Sequence, residues 1–580
     1  MQTSTALSNR TKHGWASPLK KQLLLLIGVL LVLPSLQAQT LEHPSMVLFN
    51  GRILSLSAKS SSSPHYDAFE AMSIKGSVIE ALGRNKEMLQ RAGPRTLRID
   101  LHGKTVIPGL IDSHMHGVRA ALSYSTEVHW FGATSIAQAL ERLRLAASKA
   151  QPGEWLIVAG GWIPEQFEEK RKPTQEEITQ AAPLHPVYVQ WMYDWAILSP
   201  LGYQRLGIQN EQDLPLGAKF ELDSLQQKTG AVVGGIVPLF DRLPKPTFEQ
   251  KILGTQKFFL ELNRLGITGF IDPGGFNMSP EEYAALFELW RKKEMTLRVN
   301  FSYFAQRKGR ELEEFKEITQ LLPMGFGDDW LRFNGIGERV TFGMYNNDNP
   351  SAQDKEQFYQ VASWAAKQGL TLTEHWQNGN SAHHVLDVFE RVHQETPLHN
   401  LRWSIAHLND AGIDTFARMQ KMGMGWAMQD AMYLDGERLL KIRGADQLKR
   451  MPLLVSAQST QVHIGAGTDA HRVANYNPFI ALQWMLDGKS ASGIALRSAE
   501  EIPTREEALY MYTSGSAWLA HAEKNRGDLK PQTLADLVVL DQDYTQVPVN
   551  RISKTQALMT MVNGKIVYHN KEAFPIQNLH

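Results

Sequence analysis

From residue 187 to residue 469, short apolar runs alternate with helix-like stretches, and this alternation constrains the fold more than any other feature of the 580-residue chain. The runs are VYVQW (187–191), ITGFID (267–272), LRVNFSYF (297–304), TLTEHW (371–376), RWSIAH (402–407), GMGWAMQ (423–429) and HIGAGTD (463–469). Strands alternating with helices favour a parallel α/β architecture, because each helix carries the chain back to start the next strand in the same direction. His375, His407 and Asp469 each stand at the end of such a run. In a parallel barrel that end is where a site is assembled.

The spacing supports a barrel. His375 to His407 is 32 residues, close to one strand–helix repeat, and His407 to Asp469 is 62, close to two with GMGWAMQ between them. These runs read as strands five, six and eight. Upstream, Val106-Ile-Pro-Gly-Leu-Ile-Asp-Ser-His-Met-His-Gly117 reads as strand one entering a turn. Residues two apart on a strand share a face, so His114 and His116 are expected to present two imidazoles together. From His116 to His375 is 259 residues, where four repeats take roughly 130, so an insertion is expected after strand one, at about 119–260.

Both ends of the chain have a different texture. Segments 46–57 and 70–83 alternate apolar and polar residues around Asn50-Gly51 and Lys75-Gly76, as β-hairpins do; 534–541 and 557–568 repeat the pattern, with Asn563-Gly564 as a turn. The ends are expected to share a sheet, 41–108 with 526–580, beside a barrel over 109–525.

Composition narrows the chemistry. With 0 Cys the chain has no disulfide, thiolate ligand, iron–sulfur cluster or Cys nucleophile, so any metal rests on His and carboxylates. The balance of 60 Lys+Arg against 60 Asp+Glu argues against nucleic acid or an anionic membrane as partner and points to a small-molecule substrate. A homo-oligomer stays open. Of the 19 His, His102, His129, His383, His384 and His463 read as surface or core residues. The glycines of IDPGG (271–275) and GIG (335–337) read as turn residues, lacking a P-loop Lys-Ser/Thr or Rossmann spacing, and no Gly-x-Ser-x-Gly elbow is present.

Neutral imidazoles suit Zn2+, with Mn2+ or Fe2+ also compatible. Asp469 then reads as the acid–base residue, with His407 either a ligand or a group that polarises the substrate carbonyl. His471 lies two residues beyond Asp469 and is read either as a substrate contact or as a loop residue; Trp162, Trp376 and Trp426 are read either as core or as an aromatic pocket wall.

Residues 1–41 carry Arg10, Lys12, Lys20 and Lys21 without an acidic residue, and Leu23–Leu33 is apolar apart from Gly28. This reads as a secretory signal over 1–38 cut after Ala38, giving a periplasmic or extracellular protein with no stable membrane span.

The chain resembles the amidohydrolase superfamily, and within it the amidohydrolase 3 branch that includes N-substituted formamide deformylases. TVIPGLIDSHMH, GGWIPEQF (160–167), KPTQEEITQAAPLHPVYV (172–189) and RGDLKPQTLADLVVLDQD (526–543) carry the resemblance. It implies a distorted (β/α)8 TIM barrel with a composite β-sandwich, one or two divalent metals, and hydrolysis of a carbon–nitrogen bond. By motif, His114, His116, His375 and His407 match the metal ligands and Asp469 the strand-eight acid. Three segments depart from the pattern. GIGERVTFG (335–343) places Glu338 where relatives often carry Lys, and this Glu is read either as a bridge between two metals or as an ion-pair residue. WMYDWAILSP (191–200) replaces an Asp-Gly-His segment, and His375-Trp-Gln-Asn-Gly replaces His-x-x-Gly-Asp. The substrate is expected to differ from those of better-known relatives. Lactone, carbamate and deamination chemistry on the same scaffold, and a barrel that binds without turnover, remain alternatives.

Overall fold

A computed structural model describes residues 43–58 and 63–576. The expected signal segment lies outside the described residues, and among these no helix is long and apolar enough to cross a membrane.

Eight parallel strands form one sheet in chain order: β1 Leu110–Asp112, β2 Ile267–Asp272, β3 Arg298–Tyr303, β4 Leu331–Glu338, β5 Leu372–Trp376, β6 Ser404–His407, β7 Gly425–Gln429 and β8 His463–Gly467. The sheet curls into a nearly closed barrel. Across the seam, the Ser113 amide donates to the Ala466 carbonyl at 3.0 Å, and the Asp469 amide to the His114 carbonyl at 2.8 Å. The Asp112 carboxylate reinforces it, accepting from the Thr468 hydroxyl at 2.8 Å and the Thr468 amide at 3.2 Å. The strands are buried on both faces because side chains fill the inside and helices cover the outside. Phe248–Arg264 shows how a covering helix is specified. Thr247 caps it in a box with Gln250, and Phe258, Phe259 and Leu262 turn one stripe into the core.

Gly335 and Gly337 lie inside β4, not in a turn. Their φ angles are 97° and 132°, and a Cβ there would stand 2.1 and 2.0 Å from the carbonyl oxygens of Thr371 and Thr373 on the approaching chain. Only glycine permits that approach. The turn reading holds for Gly274, which follows β2 with φ +82°.

Between β1 and β2 stands a separate five-stranded sheet, in the order Lys219–Leu222, Lys228–Val233, Trp195–Leu198, Val187–Trp191, Leu156–Val158. The run VYVQW therefore belongs to this mixed sheet and not to the parallel series. Its connection to Trp195–Leu198 is too short for a parallel crossover, so the two strands pair antiparallel, Tyr188 opposite Leu198.

The chain ends meet in a sandwich. Its six-stranded sheet runs Lys565–His569, Ala557–Val562, Leu537–Leu540, Thr105–Pro108, Arg52–Ala58, His65–Phe69, so both termini supply strands. Hairpins form at Gly76 and at Asn563-Gly564. None forms at Asn50-Gly51. Met46–Phe49 joins the second sheet, between Ala71–Lys75 and Leu97–Asp100, and the chain crosses between sheets at Asn50, whose φ is 59°. Leu101 packs where a Gly51 side chain would lie.

A buried ion pair locks sandwich to barrel. Arg298 on β3 donates from Nε and Nη2 to Asp536 at 2.7 and 3.0 Å, and Asp536 also accepts the Asn563 amide at 2.7 Å. Breaking such a pair leaves a buried charge unpaired. Asp536→Ala is expected to cost about 3–5 kcal/mol of stability, read in denaturant unfolding of the whole chain, whereas a surface pair such as Arg391–Glu356 is expected to contribute under about 1 kcal/mol.

Candidate metal centre

The site is built at the carboxyl ends of β1, β4, β5, β6 and β8. Glu338, the last residue of β4, is fully buried, and four imidazoles converge on its carboxylate. His375 Nδ1 lies 2.9 Å from Oε2, His114 Nε2 3.2 Å, His407 Nε2 3.6 Å, and His116 Nε2 3.4 Å from Oε1. Asp469 closes the ring, its Oδ1 3.1 Å from His116 Nε2 and 3.8 Å from His114 Nε2. His114 and His116 stand just past β1, not on it. The turn, with His116 opening the helix Gly117–Ser123, aims both rings inward.

Supporting groups fix each ring. The Gly274 carbonyl can only accept, so at 2.6 Å it holds the proton of His116 on Nδ1 and leaves Nε2 facing the carboxylates. Gly274 is held by Asp272, which accepts its amide and that of Val118, both at 2.7 Å. β7 grips His407 from two sides: Gln429 Oε1 accepts its amide at 2.9 Å, and Trp426 Nε1 donates to its carbonyl at 2.8 Å. Tyr345 stacks on His375, centroids 4.6 Å apart. His407 and Asp469 both turn through left-handed backbone, φ 71° and 60°, conformations that cost roughly 1–3 kcal/mol and gather at functional sites.

The carboxylates of the site draw positive charge towards them. Burial raises the Glu338 carboxyl, but the charges of His375 and His114 outweigh it and hold it well below the usual range. Asp469 follows the same balance, burial opposed by the hydrogen bond from His116 and the charge of His407. Burial lowers His116, yet Asp469 and Glu338 raise it well above its ordinary value; burial and then His375 lower His407. In a neutral His116 the Nε2 lone pair would face two carboxylates with nothing positive between. His114 Nε2 is buried without an aligned hydrogen-bond partner, and His375 Nδ1 sits 2.9 Å from His407 Nε2. Nitrogens facing nitrogens and carboxylates in a dry site fit a divalent ion. Two groups of ligand atoms are close enough to hold one, His114–His116–Glu338 and Glu338–His375–His407, with Glu338 common to both.

Two other candidates stand apart. His471 Nε2 lies 3.2 Å from Glu127, which also pairs with Arg472 at 3.1 Å; burial, then Arg472, push His471 down to about 4. Trp376 is fully buried in the core, its indole donating to the Ser381 hydroxyl at 3.0 Å, and Trp162 and Trp426 are buried likewise. None lines the cavity at the barrel mouth. The aromatic residues there are Tyr193, Phe240 and Phe276, and Phe276 links to the site through Tyr345, 6.1 Å away. Sequence reasoning missed Asp112, Arg119, Tyr193, Tyr345 and Gln429. Asp112 alone carried a signal, two residues before His114 in the same motif.

A parallel barrel whose strand ends bring four imidazoles and two carboxylates together defines a metal-dependent hydrolase fold. Residues 98–568 match the Amidohydrolase family, and the chain belongs to it. It is 22% identical over 548 residues to the N-substituted formamide deformylase of Arthrobacter pascens, covering 90% of this chain and 98% of the relative. It is 22% identical over 528 residues to the protein LONG AFTER FAR-RED 3 of Arabidopsis thaliana, covering 86% of this chain and 88% of that one. The crystal structure of an uncharacterized metal-dependent hydrolase from Pyrococcus horikoshii OT3 superposes with a TM-score of 0.63 at 18% identity, covering 87% of this chain and 99% of that one. That likeness is one of fold.

Proposed function

We propose that the protein hydrolyses a non-peptide carbon–nitrogen bond, in an amide, formamide or cyclic amide, at a two-ion centre bridged by Glu338. The observation that carries the reading is the sharing of Glu338 between two buried ligand groups, with Asp469 beside them. Family membership and the deformylase relative support the bond type.

A divalent cation, Zn2+ by the His-rich donor set, supplies Lewis acidity and a water of lowered pKa when bound. The chain's own residues do the rest. His114, His116, His375 and His407 would hold the cations, and Glu338 would supply negative charge to both groups of ligands. Asp469 takes a proton from the attacking water and returns it to the leaving nitrogen, a task that needs a carboxylate anionic at rest and next to the reacting atoms. Its lowered pKa and its place 3.1 Å from His116 support that role.

The test is hydrolysis of N-acyl amines, formamides and cyclic amides by the zinc- or manganese-loaded protein, with lactones and amidine-bearing rings in parallel. Release of amine that chelator abolishes supports the proposal. Cleavage of lactones alone, or ammonia released from ring amidines alone, transfers it to the neighbouring chemistry. Export is proposed on the strength of the basic and apolar segment before residue 39. The mature protein is then expected to begin at Gln39 in N-terminal sequencing of secreted or periplasmic material; an intact Met1 in a cytoplasmic fraction would refute export.

A further inference from the structure

Between the insertion sheet and the barrel mouth lies a cavity of about 130 Å³ whose walls include Leu122, Phe240, Phe276 and Met278. One cation stands out in this apolar lining. Arg119 lies three residues beyond His116, on the helix Gly117–Ser123 that leaves the metal centre. Both side chains border Gly275: a Cβ built there would stand 3.6 Å from Arg119 Nη1 and 3.6 Å from His116 Nδ1. Of the other cations in the lining, Arg472 pairs with Glu127, Lys251 pairs with Glu282, and Lys245 is exposed to solvent. Arg119 is neither ion-paired nor exposed. Its Nη2 donates to the Tyr193 hydroxyl at 2.7 Å, its Nε is buried without a partner, and Asp272 and Asp469 attract it only from beyond ion-pair distance. Tyr193 sits in the WMYDWAILSP segment, where the chain departs from the family pattern.

A half-buried guanidinium whose Nε lacks a partner is matched by a planar oxyanion, which accepts two parallel N–H bonds. No such group of the protein meets it among the described residues. We propose that Arg119, oriented by Tyr193, binds a carboxylate of the substrate, and that the substrate is an amide carrying this carboxylate within a few bonds of the scissile carbonyl. An N-acyl amino acid with an apolar side chain is the simplest member of the class. The proposal rests on the amide-hydrolase reading above for the bond that is cut, but not for the anion that is bound.

The test uses a matched pair, N-formylphenylalanine and N-formylphenethylamine, which differ only in the carboxylate. With metal-loaded protein, kcat/KM is expected to favour the acid by at least about tenfold, since hydrogen bonds to charged groups are worth that much. Binding of the same pair is measured by calorimetry on metal-loaded Asp469→Asn protein, expected to bind without cutting; if it cuts, the kinetics report the preference directly. Arg119→Met is expected to bring the acid-to-neutral ratio to about one, and Arg119→Lys, which keeps charge but loses the fork, to an intermediate value. The Lys variant carries the test if the Met variant fails to fold. A ratio near one in the native protein, or one unmoved in both variants, overturns the proposal. A carboxylate preference in binding with no amide cut overturns only the hydrolase reading; amide cleavage without that preference overturns only this one.

Discussion

Asp469→Asn is expected to lower kcat by about 10²- to 10⁴-fold while metal content stays that of the native protein. The two halves of this result have separate causes. Asn keeps the size and the backbone amide that bonds the His114 carbonyl at 2.8 Å across the barrel seam, so the fold is undisturbed. Five other ligand side chains remain to hold cations, all converging on or including Glu338. What is lost is a group that can take a proton and give it back. An amide does neither near neutral pH, so the proton of the attacking water and the proton needed by the leaving nitrogen both lack a carrier. Steady-state kinetics on an amide substrate of the native protein, with metal analysis of the same preparation, gives the reading. A variant with native kcat removes Asp469 from the chemistry, and one that loses metal along with activity makes it a ligand first.

The sequence carried the barrel and most of the site because both depend on strands. An apolar run that must be buried on two faces reads the same in any context, and His375 and His407 lie at the ends of such runs. Glu338 was legible as a position and not as a role. Only the fold shows that four imidazoles meet it and that two ligand groups share it. Features that depend on pairing were not legible. VYVQW has the texture of a barrel strand, and Asn50-Gly51 that of a hairpin, yet each is decided by which partner the chain meets. Gly335 and Gly337 resemble turn glycines until β5 is seen to press on them. Arg119 and Tyr193, 74 residues apart, face one another only because the insertion folds over the barrel mouth. Tryptophan was the wrong signal for the cavity. Its large apolar ring is taken first by the core, as at Trp162, Trp376 and Trp426, and the cavity is lined by Tyr193, Phe240 and Phe276 instead.

Glu338→Gln is expected to remove at least one cation from the native complement and to weaken what remains by more than the roughly 10–100-fold that loss of a supporting residue costs. Gln has the same shape, so the cause is charge. Two divalent ions sharing this site would repel one another, and the Glu338 carboxylate would offset part of that repulsion, whereas an amide brings no charge and a weaker acceptor. Metal analysis after dialysis, and competition with a chelator of known affinity, measure both effects. His114→Ala serves as the comparison, since it removes a ligand from one group only. If Glu338 serves only as an ion-pair residue, the Gln variant keeps the native stoichiometry, and the two-ion reading falls. Acid works in the same direction as the mutation. His116 holds its proton well above the ordinary imidazole pKa because Asp469 and Glu338 stabilise it, so a cation must displace that proton to bind. Affinity is therefore expected to fall as pH falls in the native protein, and to fall less steeply in Glu338→Gln, where one of the two carboxylates that retain the proton is gone.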